Sequence, residues 1–123
     1  MATLSDRVYD NGLTVLDTEA NRVDICSAEP TTYTAATSTN TLGNTTSITI
    51  SAPADGDTSG RKVTLSAISG ASVTATGTAT HFAITDTSNS RLLATGPLSA
   101  SQSVTSGNTF SLTAVDIEIP DPA

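Results

Sequence analysis

Tryptophan is absent from this 123-residue chain, and it holds one cysteine, two tyrosines and two phenylalanines. The lone Cys26 cannot close an internal disulfide, so packing, hydrogen bonds or other subunits must hold the fold. Basic residues are scarce as well: five Lys and Arg face twelve Asp and Glu, for a formal net charge of −7. That sign repels phosphate backbones and anionic lipid. Arg7, Arg22, Arg61, Lys62 and Arg91 are scattered, and Tyr9, Tyr33, Phe82 and Phe110 are the only stacking platforms, so no nucleic-acid partner is expected. No apolar run approaches the roughly 18 residues of a membrane span. MATLSDR also lacks the apolar stretch of a secretory signal, so the expectation is no membrane partner and assembly in a cytosol.

What remains is aliphatic and hydroxylic. Hydrophobic residues make up 37% and aromatics 3%, while about a third of the chain is Ser or Thr. A core of Val, Ile, Leu and Ala surrounded by β-branched threonines suits a pleated surface, and so thin a core leaves burial for neighbouring subunits to complete. The length fits one domain over 1–123, with a helix or arm over 1–20, a β-body over 21–119 and an extended tail over 120–123, where proline cannot continue a sheet.

The hydrophobic period changes along the chain. Leu4, Val8, Gly12, Leu16 and Ala20 fall four apart with Tyr9 and Leu13 beside them, which predicts an amphipathic helix with Ser5 as cap and Asp6 near its positive end. Asn11-Gly12 is also a hairpin signal, but its flanks do not alternate strictly, and helix is the preferred reading. From Val23 the period is two. Short strands are expected at RVDIC, ended by Pro30, then at SITIS, RKVTLSAIS, ASVTATGTA, THFAIT and RLLATGPLS with its Gly-Pro break, and in SVTSGNTFSLTAVDIEIP. TTYTAATSTNTLGN reads as turn-prone with at most a brief helical turn, and PADGDTSGR as a loop. In the last segment the apolar parity switches at Ala114-Val115, which calls for a β-bulge or a bend between two sheets. The expected fold class is mainly β, a sandwich or barrel of short antiparallel strands with an N-terminal amphipathic helix.

Few residues invite chemistry. Cys26 with His81 would need a nucleophile loop and an orienting group, and neither surrounds them; a strand cysteine reads as small hydrophobic filler, placed under the N-terminal helix if it opposes Ile25. Asp55-Gly56-Asp57 could contribute oxygens to calcium, but a full ligand set is missing and Asp-Gly also makes a surface turn. Asp116 and Glu118 share one face of the last strand with no partner group in view, a pattern that keeps an edge strand soluble. Asn44-Thr45-Thr46 fits a glycan acceptor by chance composition. No catalytic residue, no cofactor and no metal are expected, and no enzyme.

LSDRVYDNGLTVLDTEANRVDICSAEPTTYTAAT, then TLGN, then TATHFAITDTSNSRLLATGPLSASQSVTSGNTFSLTAVDIEIPDPA together resemble small structural proteins of tailed bacteriophages and prophages. ICSAEPTTYTAAT and SGNTFSLT are the most specific parts of this likeness, which covers nearly the whole chain. The resemblance implies a virion structural role and supplies no catalytic residue. Its preferred form is a capsid decoration or cement protein on the outer head surface, assembled in the host bacterial cytoplasm, with the major capsid protein and copies of itself as partners, in a trimer if it sits at a local threefold axis. A tail, neck or fibre component and a non-viral β-sandwich binding module are the alternatives.

Overall fold

A computed structural model describes residues 4–121 of a mainly β protein, with 48% of residues in strands and 18% in helix. In chain order the elements are α1 (Asp6–Glu19), β1 (Arg22–Cys26), a π-helical turn (Ala35–Thr39), β2 (Thr41–Thr45), β3 (Ala54–Asp55), β4 (Arg61–Leu65), β5 (Ile68–Val73), β6 (Gly77–Asp86), β7 (Arg91–Val104), β8 (Thr109–Leu112) and β9 (Val115–Ile119). They form two compact units. The first collects the chain up to Glu19, Thr49–Ala67 and the segment from Thr113; the second collects Ala20–Ile48 and Ile68–Leu112.

The first unit is α1 packed on a three-stranded antiparallel sheet of order β3-β4-β9. The Val8 N–H donates to Ser5 O at 2.9 Å, closing the first turn, and Asp6 stands where the helix dipole favours an acid. Tyr9, Leu13 and Leu16 are the buried face. This corrects the expected stripe, because Leu4 and Val8 are 48% and 53% exposed. Residues four apart advance about 40° around a helix of 3.6 residues per turn, so a run of such steps cannot stay on one side. Tyr9 and Leu13 also offer far more apolar surface than Val8 and Gly12. On the sheet, Arg61↔Ile119 through Leu65↔Val115 are paired, and the odd-numbered Val63 and Leu65 are fully buried. The even-numbered Lys62, Thr64, Asp116 and Glu118 therefore line the opposite face. Arg61 fastens helix to sheet, its Nε donating to Asp10 Oδ1 at 2.8 Å and its Nη1 to Asp55 Oδ1 at 2.6 Å.

The second unit is one curled antiparallel sheet of order β7-β6-β1-β2-β5-β8. Val23 and Ile25 of β1 are completely buried, as are Ala79 and Ile84 of β6, while Phe82 and Phe110 supply the only large rings of this core. The two edge strands are bridged by the Gln102 amide, which donates to Ser111 O at 2.9 Å. Between β6 and β7, the Asp86 carboxylate accepts from Ser88 N and Asn89 Nδ2 at 3.0 and 2.8 Å, and Ser90 takes a positive φ of 54°. The Gly-Pro break does not end β7. Pro97 is accommodated because β7 is an edge strand with a register shift there, His81 pairing with Pro97 and Ala79 with Gln102.

Three further expectations shift. TLGNT, read as turn, is the interior strand β2: a side chain at Gly43 would stand 2.6 Å from Ser72 O and 3.0 Å from the Phe110 ring, so only glycine lets β5 approach. SITIS contributes one isolated bridge, Ile50↔Leu65, instead of a strand. The loop PADGDTSGR contains the short β3. The parity switch at Ala114-Val115 is a passage between sheets, since β8 belongs to the second unit and β9 to the first. RKVTLSAIS hides the same event: β4 ends at Leu65, β5 begins at Ile68, and both of those residues are buried while Ala67 is exposed. No helix among the described residues is long and apolar enough to cross a membrane.

Candidate functional site

The outer face of β1 gathers most of the chemistry in the chain. Arg22, Asp24 and Cys26 alternate on one side of the strand, and the loop from Ser27 to Asn40 folds back over them, tied at its base by Ser27 N donating to Asn40 O at 2.9 Å. Within that loop the Thr32 hydroxyl accepts from Ala35 N at 3.0 Å, and Asn40 N reaches back five residues to Ala35 O at 2.8 Å. The small Ala35 and Ala36 let this wide turn lie close to the sheet.

Cys26 and His81 do meet. They are directly opposed in the β1–β6 ladder, which puts their side chains on one face. Their protons nevertheless go elsewhere. The Cys26 thiol donates to Ala36 O at 3.6 Å. The Thr80 hydroxyl gives its proton to Ser27 O at 3.1 Å, which leaves its oxygen to accept from His81 Nδ1 at 2.9 Å. Burial, aided by the negative charge of Asp24 and only partly opposed by Arg22, pushes the thiol up to about 12. A thiol held in that form is neither nucleophile nor metal ligand near neutrality. Its packing partners are Ala36, Ala83 and Leu92. The cover over Cys26 is thus the Ala35–Thr39 turn, where the sequence pointed to the N-terminal helix.

Asp24 is fully buried yet completely engaged. It takes a two-pronged contact from Arg22, Nε to Oδ1 at 2.7 Å and Nη2 to Oδ2 at 2.8 Å, and a hydroxyl proton from Thr41 at 2.6 Å. Arg22 also reaches Thr37 O at 3.4 Å. This constellation locks β1, β2 and the covering loop together. It escaped sequence reasoning; its only signal was an Arg and an Asp two apart on a strand, a spacing that puts opposite charges on one face.

Asp116 and Glu118 stand on the outer face of the three-stranded sheet, beside Lys62 and Thr64. Asp116 does have partners, contrary to expectation: Lys62 Nζ at 3.0 Å and the Thr64 hydroxyl at 2.7 Å. Hydrogen bonding from Thr64 and then Lys62 holds its carboxyl below the usual range. Lys62 also binds Asp57 at 2.6 Å, and the Glu118 carboxylate accepts from Asp57 N at 2.7 Å. Asp55 is paired with Arg61. The Asp55-Gly56-Asp57 carboxylates are therefore turned to cations of the chain itself, and among the described residues no group of three or more His, Cys, Asp or Glu is placed to hold a metal. Asn44 lies half-buried in β2, paired with Asp24 of β1 and Ser72 of β5.

Compared with known proteins, the chain matches no family model, no curated protein and no solved structure.

Proposed function

We propose that this chain is a structural protein of a tailed-bacteriophage particle, in its most specific form a decoration or cement protein that binds the outer head lattice and stabilises it. The major capsid protein and further copies of the chain are its partners, and the host bacterial cytoplasm is where it assembles. The observation that carries the reading is the use made of reactive groups. The thiol, the imidazole, the buried carboxylate and the Lys62 network are spent on fastening strands and loops to one another, as a scaffold requires. The likeness of ICSAEPTTYTAAT and SGNTFSLT to virion proteins supplies the setting. Many copies on a lattice make modest contacts sufficient, because repeated weak interfaces act together.

Cryo-electron microscopy of the particle whose genome encodes the chain tests this. Density in many copies over capsomer junctions is the expected result. Density confined to the neck or tail would replace the decoration role with a tail role, and absence from the particle would overturn the virion reading altogether.

A further inference from the structure

Asn11-Gly12, a turn signal in the sequence, stands in the middle of α1 with both residues exposed. The pair is built for one spontaneous reaction, attack of the glycine backbone nitrogen on the asparagine side-chain amide, because glycine has no Cβ to shield that nitrogen. Its surroundings do not shield it either: a carbon added at Gly12 would meet only Ile119 Cδ1, at 3.7 Å. The helix is what holds the reaction off. There the Gly12 N–H is bonded to the carbonyl four residues back, and ring closure requires Gly12 to give up that bond and Asn11 to leave its helical ψ.

The hold of the helix is modest at this point. Glycine in a helix interior costs about 1 kcal/mol relative to alanine. The Thr14 and Thr18 hydroxyls donate back to Asp10 O and Thr14 O at 2.6 and 2.7 Å, a contact that weakens and bends helices. The unit that keeps α1 in place is also assembled from three separate chain segments.

We propose that Asn11 is a self-modifying site guarded by α1. When the helix opens at Gly12, the Gly12 nitrogen bonds to Asn11 Cγ and closes a five-membered imide. The Cγ–Nδ2 bond breaks, and the amide leaves as ammonia, carrying the Gly12 proton. Water then opens the ring. Cleavage of the Cγ–N bond gives aspartate, and cleavage at the α-carbonyl gives isoaspartate, whose main chain runs through Cβ and Cγ and is one carbon longer. Either product adds one negative charge to the net −7. Aspartate keeps the helix, four residues after Arg7, where opposite charges are neighbours. Isoaspartate breaks the ladder of hydrogen bonds in the turn whose Asp10 holds Arg61 Nε at 2.8 Å. Each isoaspartate event therefore loosens the first unit, and it does not reverse.

The proposal is independent of the capsid reading and is tested on the isolated full chain, incubated at pH 8 either native or unfolded in urea. Trypsin releases residues 8–22, in which mass spectrometry places the amide-to-acid exchange and chromatography separates the two products. In urea Asn11 should convert faster than any other asparagine. In the native chain it should convert at least tenfold more slowly, since only the open fraction reacts. Arg61→Lys, which loses the forked contact to Asp10, should raise the native rate severalfold and leave the urea rate unchanged. The isoaspartate form should unfold at lower urea than the Asn11→Asp variant. Asn11 intact after urea, equal native and urea rates, a native rate indifferent to Arg61→Lys, or an isoaspartate form as stable as Asn11→Asp would overturn the proposal.

Discussion

Replacing Arg22 by leucine isolates what the buried carboxylate of Asp24 demands. The wild-type pair is a fork of two short contacts at 2.7 and 2.8 Å, with Asp24 fully buried and the Arg22 side chain 22% exposed. Removing one member of a buried pair costs about 3–5 kcal/mol, because the other charge is left uncompensated. Water can reach the space that Arg22 vacates, so the lower end applies, about 3 kcal/mol. With a urea slope near 2 kcal/mol/M for a domain of this size, the midpoint should fall by about 1.5 M. Tyr9 belongs to the first unit and Tyr33 to the second, and tryptophan is absent. A Tyr9→Phe background therefore makes tyrosine fluorescence report on the unit that contains Asp24. The double variant Arg22→Leu/Asp24→Val removes both charges and keeps a strand-forming side chain, and it should lose less than Arg22→Leu alone. Thr41 tolerates this because its hydroxyl has a second acceptor, Gly43 O at 3.3 Å. A shift under about 0.3 M for Arg22→Leu, or a double variant less stable than the single, would refute the assignment of this cluster as the lock of the second unit.

Other consequences are as direct. Cys26 should resist alkylation at pH 8 in the native state and react once unfolded in urea; because its folded pKa lies above the unfolded value of 9.0, its contribution to stability is complete below that value and is lost as pH rises toward 12. Cys26→Ser should flatten that alkaline decline, measured by denaturation from pH 8 to 11, with a loss of about 1–2 kcal/mol at neutral pH. Gly43→Ala should cost about 2–4 kcal/mol in thermal or urea unfolding, since the added carbon meets a backbone oxygen that cannot rotate away. Gly12→Ala, in α1 with only ordinary contacts, should instead raise stability by about 0.5–1 kcal/mol. Asp116 titrates below its usual range, so its stabilising share is present above the ordinary Asp pKa and fades as pH falls through the lowered one; in Thr64→Val, the side-chain carboxyl resonance of Asp116 should titrate at higher pH than in the wild type.

Period and turn chemistry made much of the fold legible, and each place where they fail has a physical cause. The helix at Asp6–Glu19 and the strand at Arg22–Cys26 follow from periods near 3.6 and 2, whereas ASVTATGTA, expected as one strand apart from THFAIT, is divided between the end of β5 at Val73 and the start of β6 at Gly77, and β6 runs on through THFAIT. The exposed and buried sides of α1 were misplaced because a four-residue series drifts around the cylinder, and only the volume of Tyr9 and Leu13 decides between them. β2 was hidden because Gly43-Asn44 carries a turn signature, whereas glycine is there to admit Ser72 and Phe110. The Asp24 lock was invisible because Thr41 opens the hidden strand β2 and Thr37 comes from a loop with no periodicity, and nothing local announces where such a loop folds back. Cys26 and His81 stood as a distant pair in the sequence. Antiparallel registry brought them face to face, and the carbonyls of Ala36 and, through Thr80, Ser27 then took up their hydrogen bonds.

The order of segments carries one further argument. The second unit is built from Ala20–Ile48 and Ile68–Leu112, so a single insertion interrupts it. The first unit consists of that insertion together with the two flanking ends, and its helix, central strand and edge strand are each separated by more than 40 residues of chain. Only the β3–β4 pair within it is local. Closing such long loops costs entropy before any contact repays it, whereas the β6–β7 hairpin needs only a four-residue turn. Loop-closure entropy therefore favours early pairing of the β6–β7 hairpin over the joining of α1 and β9 to β4. Arg61 ties these distant segments together beside the buried Tyr9, Leu13, Leu16, Val63 and Leu65, since it contacts α1 through Asp10 while its own backbone pairs with Ile119 of β9.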